Sequence, residues 1–175
     1  MRPTPSPPSL VVGPNTDVEF RPVYDELLPK LYRFFCYRVG DRKLAEDLTA
    51  MTLEKAWRGR ANFNPGLGEF TNWVMGIARK VNADHHRTNH PRLAPDALIQ
   101  APVSIEEIAE RDAEFARLAA LLAQVSRRER DLLALKYGAD MSNRAIAELT
   151  GLTESNVGTI LHRAVTKLRA KWETT

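Results

Sequence analysis

The chain has 175 residues, 43% hydrophobic, 27% charged and 7% aromatic, which suits one ordinary domain or two small ones and excludes a large multidomain enzyme. No run approaches the roughly 20 apolar residues of a membrane span, and the opening MRPTPSPPSLVVGPNT lacks a signal peptide's apolar core, so a soluble, cytoplasmic protein with no membrane partner is expected. A lone cysteine, Cys36, excludes an internal disulfide and a Cys-x-x-Cys site, and net charge is only +3, so the placement of the 25 Lys+Arg against the 22 Asp+Glu matters more than the balance.

Six of the 11 prolines fall in the first 22 residues, which predicts a disordered arm over residues 1–16. A first helical body is expected over residues 17–92. Tyr24, Leu27, Leu28, Leu31, Phe35 and Val39 recur at helical spacing, Gly40 supplies a stop, and Pro29 predicts a kink or a late start. Asp41 reads as the N-cap of a second helix with Leu44, Ala45, Leu48, Thr52, Ala56 and Trp57 inward and Gly59 at its end. A turn-rich loop, Ala61 to Gly68, leads to a third helix with the stripe Phe70, Val74, Ile77, Ala78 and Val81.

Residues 93–111 hold two prolines and the acids Glu106, Glu107 and Glu110, with no sustained amphipathic period until Phe115, and are expected to be a flexible linker. A second body is expected over residues 112–175. Ser126-Arg127-Arg128-Glu129 satisfies the capping-box pattern, Leu132, Leu133 and Leu135 follow, and Gly138 ends that helix. Ser142 and Thr153 then cap a short helix and a longer one, separated by a turn at Gly151. No segment has strand periodicity. The expected class is all-α, with two small helical domains joined by a flexible linker and a C-terminal helix-turn-helix.

The helix-turn-helix carries the sharpest signal. Val157, Ile160, Leu161, Ala164 and Leu168 form an inward stripe, while Ser155, Thr159, His162 and Thr166 lie opposite, flanked by Glu154, Asn156 and Arg163. Short donors and acceptors near a helix start suit base edges, and longer cations suit phosphates. Gly158 costs about 1 kcal/mol relative to alanine inside a helix, a cost that close approach to DNA would explain. Between Ser126 and Trp172 nine Lys+Arg face five acids, a local surplus of +4, although a solvated basic surface over a plain helical core has the same look.

On the third helix, Trp73, Gly76, Lys80, Asp84 and Arg87 fall on one line, with Asn72, Arg79, Asn82 and His86 beside it. Aromatic faces stack bases while cations track the backbone of opened nucleic acid, but an isolated helical tryptophan is also often a core residue. His85, His86 and His90 invite a metal, yet no cysteine or carboxylate pair completes a set, so no metal and no cofactor is expected.

Together these residues resemble the bacterial extracytoplasmic-function group of the sigma-70 family. Ala45-Glu46-Asp47-Leu48 with Thr49 to Thr52 and Ala56-Trp57 is similar to the family's second region, Thr71 to Val74 with Ile77 to Lys80 and Asp84 to Arg87 to its promoter-melting segment, and Ser126 to Arg130, Ala145 to Leu149 and Leu161 to Ala164 to its fourth region. The resemblance implies a non-enzymatic transcription initiation factor that binds core RNA polymerase and directs it to promoter DNA. It implies docking of Glu46, Asp47 and Leu48 on the beta-prime clamp helices, base capture by the loop of Asn62, Phe63 and Asn64, and a duplex wedge of Asn72 and Trp73. It further implies DNA contacts from Arg79, Lys80 and Arg87, minus-thirty-five reading by Ser155, Asn156, Thr159, His162 and Arg163, and an anti-sigma factor as a further partner. The sequence departs from the family's usual pattern at Ala50, Lys80, Gly158 and Ile160. Two other readings stand beside this one: a stand-alone helix-turn-helix regulator, and a small histidine-dependent nuclease, for which the sequence supplies neither clustered acids nor a nucleophile-base pair.

Overall fold

The computed structural model describes residues 20–88 and 105–174, so the arm over residues 1–16 and the greater part of the expected linker lie outside the described residues. Seven α-helices follow one another: α1 (Phe20–Val39), α2 (Arg42–Gly59), α3 (Phe70–Thr88), α4 (Ile105–Leu122), α5 (Arg127–Leu133), α6 (Asn143–Thr150) and α7 (Glu154–Thr174). Two 3-10 turns, Arg60–Asn62 and Pro65–Leu67, shape the loop before α3, and a π-helical turn, Ala134–Gly138, continues α5. The described residues contain no strand, as the missing two-residue period led us to expect.

The caps form where side chains supply orphan helix donors with acceptors. Asp41 Oδ1 accepts from Leu44 N at 2.7 Å, Ser142 Oγ from Ala145 N at 3.1 Å and Thr153 Oγ1 from Asn156 N at 3.2 Å. Gly151 turns the chain between α6 and α7 at φ +72°, a left-handed conformation that a side chain would strain. Of the two outcomes expected at Pro29, the late start does not occur, because α1 runs through it. Two other expectations fail. Trp57 faces outward, 41% exposed beneath the Arg60 guanidinium at 3.8 Å. Residues 105–111 belong to α4, which starts about ten residues before the amphipathic period becomes legible at Phe115.

The halves do not stand apart. One continuous set of buried side chains runs from Leu27, Leu31, Phe34 and Phe35 on α1, through Leu48, Ala56, Val74 and Ala78, to Leu132, Leu135, Ile146, Val157 and Leu161. α1 therefore buries two faces, one toward α2 and α3 and another toward the π-helical turn. Gly138 makes that second contact feasible. A Cβ added there would lie 2.8 Å from the Phe34 backbone Cα and N, and 3.0 Å from the Arg33 carbonyl carbon, so only a glycine permits the approach. Arg33 Nε also donates to the Gly138 carbonyl at 3.1 Å.

The capping box forms as the spacing predicts: Glu129 N donates to Ser126 Oγ at 3.2 Å, and Ser126 N to Glu129 Oε2 at 2.9 Å. Lys167 Nζ on α7 donates to Glu129 Oε1 at 2.7 Å, tying α5 to the last helix. The Lys167 hydrogen bond, followed by that from the Ser126 backbone, pulls the Glu129 carboxyl from 4.5 down to about 2. A depressed folded-state pKa gives stability that is present above the unfolded value and lost as pH falls through the folded one. Glu129→Gln is therefore expected to lower the melting temperature at pH 7, and the gap to wild type should close as thermal melts move from about pH 4.5 to about pH 2.

Candidate nucleic-acid interface

α7 carries its stripe as read, with Val157, Leu161 and Ala164 buried and Ile160 and Leu168 half-buried. Ser155, Asn156, Thr159, His162 and Arg163 are all exposed on the other side. Thr159 Oγ1 donates to the Ser155 carbonyl at 3.0 Å and Thr166 Oγ1 to the His162 carbonyl at 2.9 Å, so both hydroxyls keep lone pairs turned outward. Gly158 has a neighbour the sequence did not suggest: its missing side chain would meet Asn143 Nδ2 at 3.6 Å, an ordinary contact with α6. An added Cβ would fit there, so packing against α6 does not itself require a glycine at 158.

The loop and α3 make a second surface. Phe63, Phe70 and Trp73 form an aromatic cluster, with Phe63 edge-on to Phe70 at 5.0 Å and 5.7 Å from Trp73 between ring centroids. The plain reading of Trp73 as a packing residue therefore holds in part: it is half-buried against Phe70 at 5.3 Å. Asn62, Asn64 and Lys80 are exposed, Asn72 is half-buried, and Asn64 Oδ1 accepts from Gly66 N at 2.9 Å. Asn62, Phe63, Asn64, Asn72 and Trp73 line one cavity of about 320 Å³, closed on its far side by Ala145, Glu148 and Leu149 of α6. Arg87 lies outside that cavity's lining and pairs with Asp84.

Arg79 is not free for a ligand in this arrangement. Its Nε and Nη2 donate to Asp131 Oδ2 at 3.2 and 3.0 Å, and its Nη1 to the Leu149 carbonyl at 3.0 Å. Asp131 Oδ1 also lies 3.7 Å from Nε of Arg38, whose side chain is 4% exposed and whose Nη1 donates to the Arg127 carbonyl at 3.2 Å. Asn82 completes this group, its amide oxygen accepting from Arg38 Nη2 at 2.8 Å and Nε at 3.1 Å. Burial holds the Arg38 pKa below its usual value, with Asp131 opposing that and Arg127, Arg130 and Arg79 adding to it. Sequence reading missed Arg38, Asn82 and Asp131 as a unit. The available signal was position: Arg38 lies at core spacing from Leu31, Phe34 and Phe35, as Asn82 does from Met75 and Ala78.

The expected docking triad separates. Glu46 is exposed and Asp47 half-buried, but Leu48 is 1% exposed and belongs to the core, because its position four residues from Thr52 points it at α1 and α3. Met51, 45% exposed, stands on the outward side with Glu54 and Arg58. Among the described residues no group of three or more His, Cys, Asp or Glu could hold a metal; of the three candidate histidines, His90 lies outside them. Cys36 is half-buried, and burial pushes its thiol pKa up, away from reactivity. No described helix is long and apolar enough to cross a membrane.

Comparison with known proteins places this geometry. Residues 23–92 match the model of sigma-70 region 2, and residues 115–168 match that of sigma-70 region 4. The ECF RNA polymerase sigma factor BldN of Streptomyces coelicolor is 30% identical over 154 residues, covering 85% of this chain and 58% of that relative, so the chain spans little more than half of BldN. SigL of Mycobacterium tuberculosis, also an ECF RNA polymerase sigma factor, is 29% identical over 152 residues, covering 85% of this chain and 86% of the relative. Two solved structures share the fold: CnrH in complex with the cytosolic domain of CnrY, with TM-score 0.64 at 21% identity over 89% of this chain and 86% of that one, and the sigma factor RpoE with the anti-sigma factor NepR from Bartonella quintana, with TM-score 0.65 at 19% identity over 89% and 97%.

Burial separates the two roles once read into the Glu46 to Leu48 run. Leu48→Ala is expected to destabilise the fold by about 2–5 kcal/mol in chemical denaturation, whereas Asp47→Ala should stay within about 0.5 kcal/mol of wild type.

Proposed function

This chain belongs to the sigma-70 family, and from that premise we propose that it is an initiation factor of the extracytoplasmic-function type: it binds core RNA polymerase, directs it to specific promoters and assists their melting. The observation that carries this reading is the pairing, in one chain, of an exposed polar face on α7 with an aromatic and cationic face on α3, over matches to regions 2 and 4 in that order. The protein performs no reaction of its own; it acts by placing the polymerase, and so works in the cytoplasm.

In this reading α7 lies in the major groove of the minus-thirty-five element. Ser155, Asn156 and Thr159 meet base edges there, and His162 and Arg163 reach backbone phosphate. The cavity of Asn62, Phe63, Asn64, Asn72 and Trp73 takes a base displaced from the minus-ten element, its aromatic wall supplying about 1–3 kcal/mol of stacking. Arg79, Lys80 and Arg87 follow the strand's phosphates. The outward side of α2, bearing Glu46, Asp47, Met51 and Glu54, meets the polymerase clamp, Leu48 supporting it from within. An anti-sigma protein is proposed as a further partner, by likeness to the two solved complexes.

Two modest DNA surfaces bind weakly one at a time, since salt ions compete at every phosphate and lower affinity steeply. Fixing one half on the polymerase raises the effective concentration of the other, so specific binding belongs to the assembled holoenzyme. A stand-alone regulator would leave the aromatic loop cavity and the outward side of α2 without a use. Run-off transcription with core polymerase on genomic fragments is expected to yield discrete start sites. Asp47→Arg should reduce transcription, together with co-purification of the polymerase. Arg163→Ala should reduce the salt slope of holoenzyme binding by about one. Unchanged polymerase initiation in the presence of the protein would overturn the reading.

A further inference from the structure

We infer that the cavity lined by α3 and α5 is a binding site for a small oligophosphate, a compound with two or more linked phosphate groups, held by Lys80, Arg127 and Arg128. The site goes beyond the proposed function: it takes a small molecule, and neither Arg127 nor Arg128 belongs to the proposed DNA or polymerase surfaces.

The cavity measures about 670 Å³, inside the range of about 300–1,000 Å³ in which small ligands are held. Five cationic side chains line it, Arg38, Arg79, Lys80, Arg127 and Arg128, and among its described lining residues Asp131 is the one carboxylate. Gly76, Ala83 and Leu149 extend the wall without adding charge.

Asp131 leaves most of that charge unmatched. On α5 it stands four residues after Arg127, the spacing of a helical ion pair, but its oxygens are drawn across to Arg79 at 3.0 Å and Arg38 at 3.7 Å. Lys80 loses its local partner in a similar way, because Asp84, four residues on, pairs with Arg87. Among the described residues the side chains of Lys80, Arg127 and Arg128 therefore make no ion pair, and all three are exposed. Arg58 and Arg144, by contrast, are matched inside their own helices by Glu54 and Glu148.

Like charges gathered around a concave space raise the local potential and concentrate an anion there. The donor set then selects the anion's chemistry. Two guanidinium forks and one ammonium, presented from two helices, satisfy several oxygens and more than one negative charge together, which linked phosphates supply and a single carboxylate does not. Arg38 and Arg79 keep their donors on Asp131, the Asn82 amide and backbone carbonyls, so they contribute field rather than contacts. A nucleic-acid duplex is far larger than this volume, whereas a short phosphate chain fits within it. Lys80 is common to this site and to the proposed strand surface, so occupancy removes one phosphate contact from DNA.

The test is calorimetric titration of the full-length free protein with inorganic tripolyphosphate at constant ionic strength. Saturable binding of one equivalent is expected, with orthophosphate at least about tenfold weaker. Arg127→Gln and Arg128→Gln leave in place the Arg127 carbonyl that Arg38 uses, and each should weaken tripolyphosphate at least about fivefold. Lys80→Gln should do the same, while Arg58→Gln on α2 should stay within about twofold. Circular dichroism melts show whether the variants fold, and if an arginine variant does not, Lys80→Gln decides. A nucleoside triphosphate that matches tripolyphosphate supports the site and identifies a nucleotide's phosphate tail as its source; one at least about tenfold weaker supports it and identifies a free phosphate chain. Non-saturable binding, equal losses for Arg58→Gln and the cavity variants, or tripolyphosphate no tighter than orthophosphate would overturn the site. So would a single-stranded oligonucleotide that loses affinity in Arg127→Gln while tripolyphosphate does not, which would reassign these cations to nucleic-acid backbone.

Discussion

The shared carboxylate of Asp131 sits where the molecule's two halves meet, and the arrangement of everything around it follows from its charge. It faces Arg38 from α1 and Arg79 from α3, with Arg127 and Arg130 on its own helix. A buried arginine is tolerated only when its donors are used, and Arg38 uses them on the Arg127 carbonyl, the Asn82 amide and Asp131. Breaking one partner of such a group costs roughly 3–5 kcal/mol, because the remaining charge stays buried. The group joins Arg38 of α1 and Arg79 of α3 to α5 through one carboxylate, and Arg79 also reaches the Leu149 carbonyl of α6.

The apolar surface agrees with the polar contacts. Phe34 on α1 is fully buried where the π-helical turn brings Gly138 against the α1 backbone. The π turn widens the end of α5 so that its carbonyls and the Arg33 side chain can meet, with Arg33 Nε on the Gly138 carbonyl. A surface built for contact is therefore present on both halves.

The polar side of α7 and the outward side of α2 are exposed, whereas the loop cavity is lined on one side by α6 and Arg79 is held by Asp131 and the Leu149 carbonyl.

Local physics was legible in the sequence. Capping residues Asp41, Ser126, Ser142 and Thr153, the turn at Gly151 and the stripe of α7 each depend on neighbours within four residues, so spacing alone determined them, and with them the all-α class and the outward face of α7. Tertiary structure decided what depends on residues far apart in the chain. Trp57 turned outward although it falls on the same spaced stripe as Leu48, Thr52 and Ala56, which went inward as the spacing predicts, because which edge of a stripe is covered depends on the neighbouring helices. α4 began at residue 105 because a helix docking on α1 and α7 can form where the local pattern is weak. Arg79 and Asp131, 52 residues apart, were legible only as a cation and an acid on separate helices. Their pairing required the two halves to meet, and nothing in either segment's periodicity records that meeting.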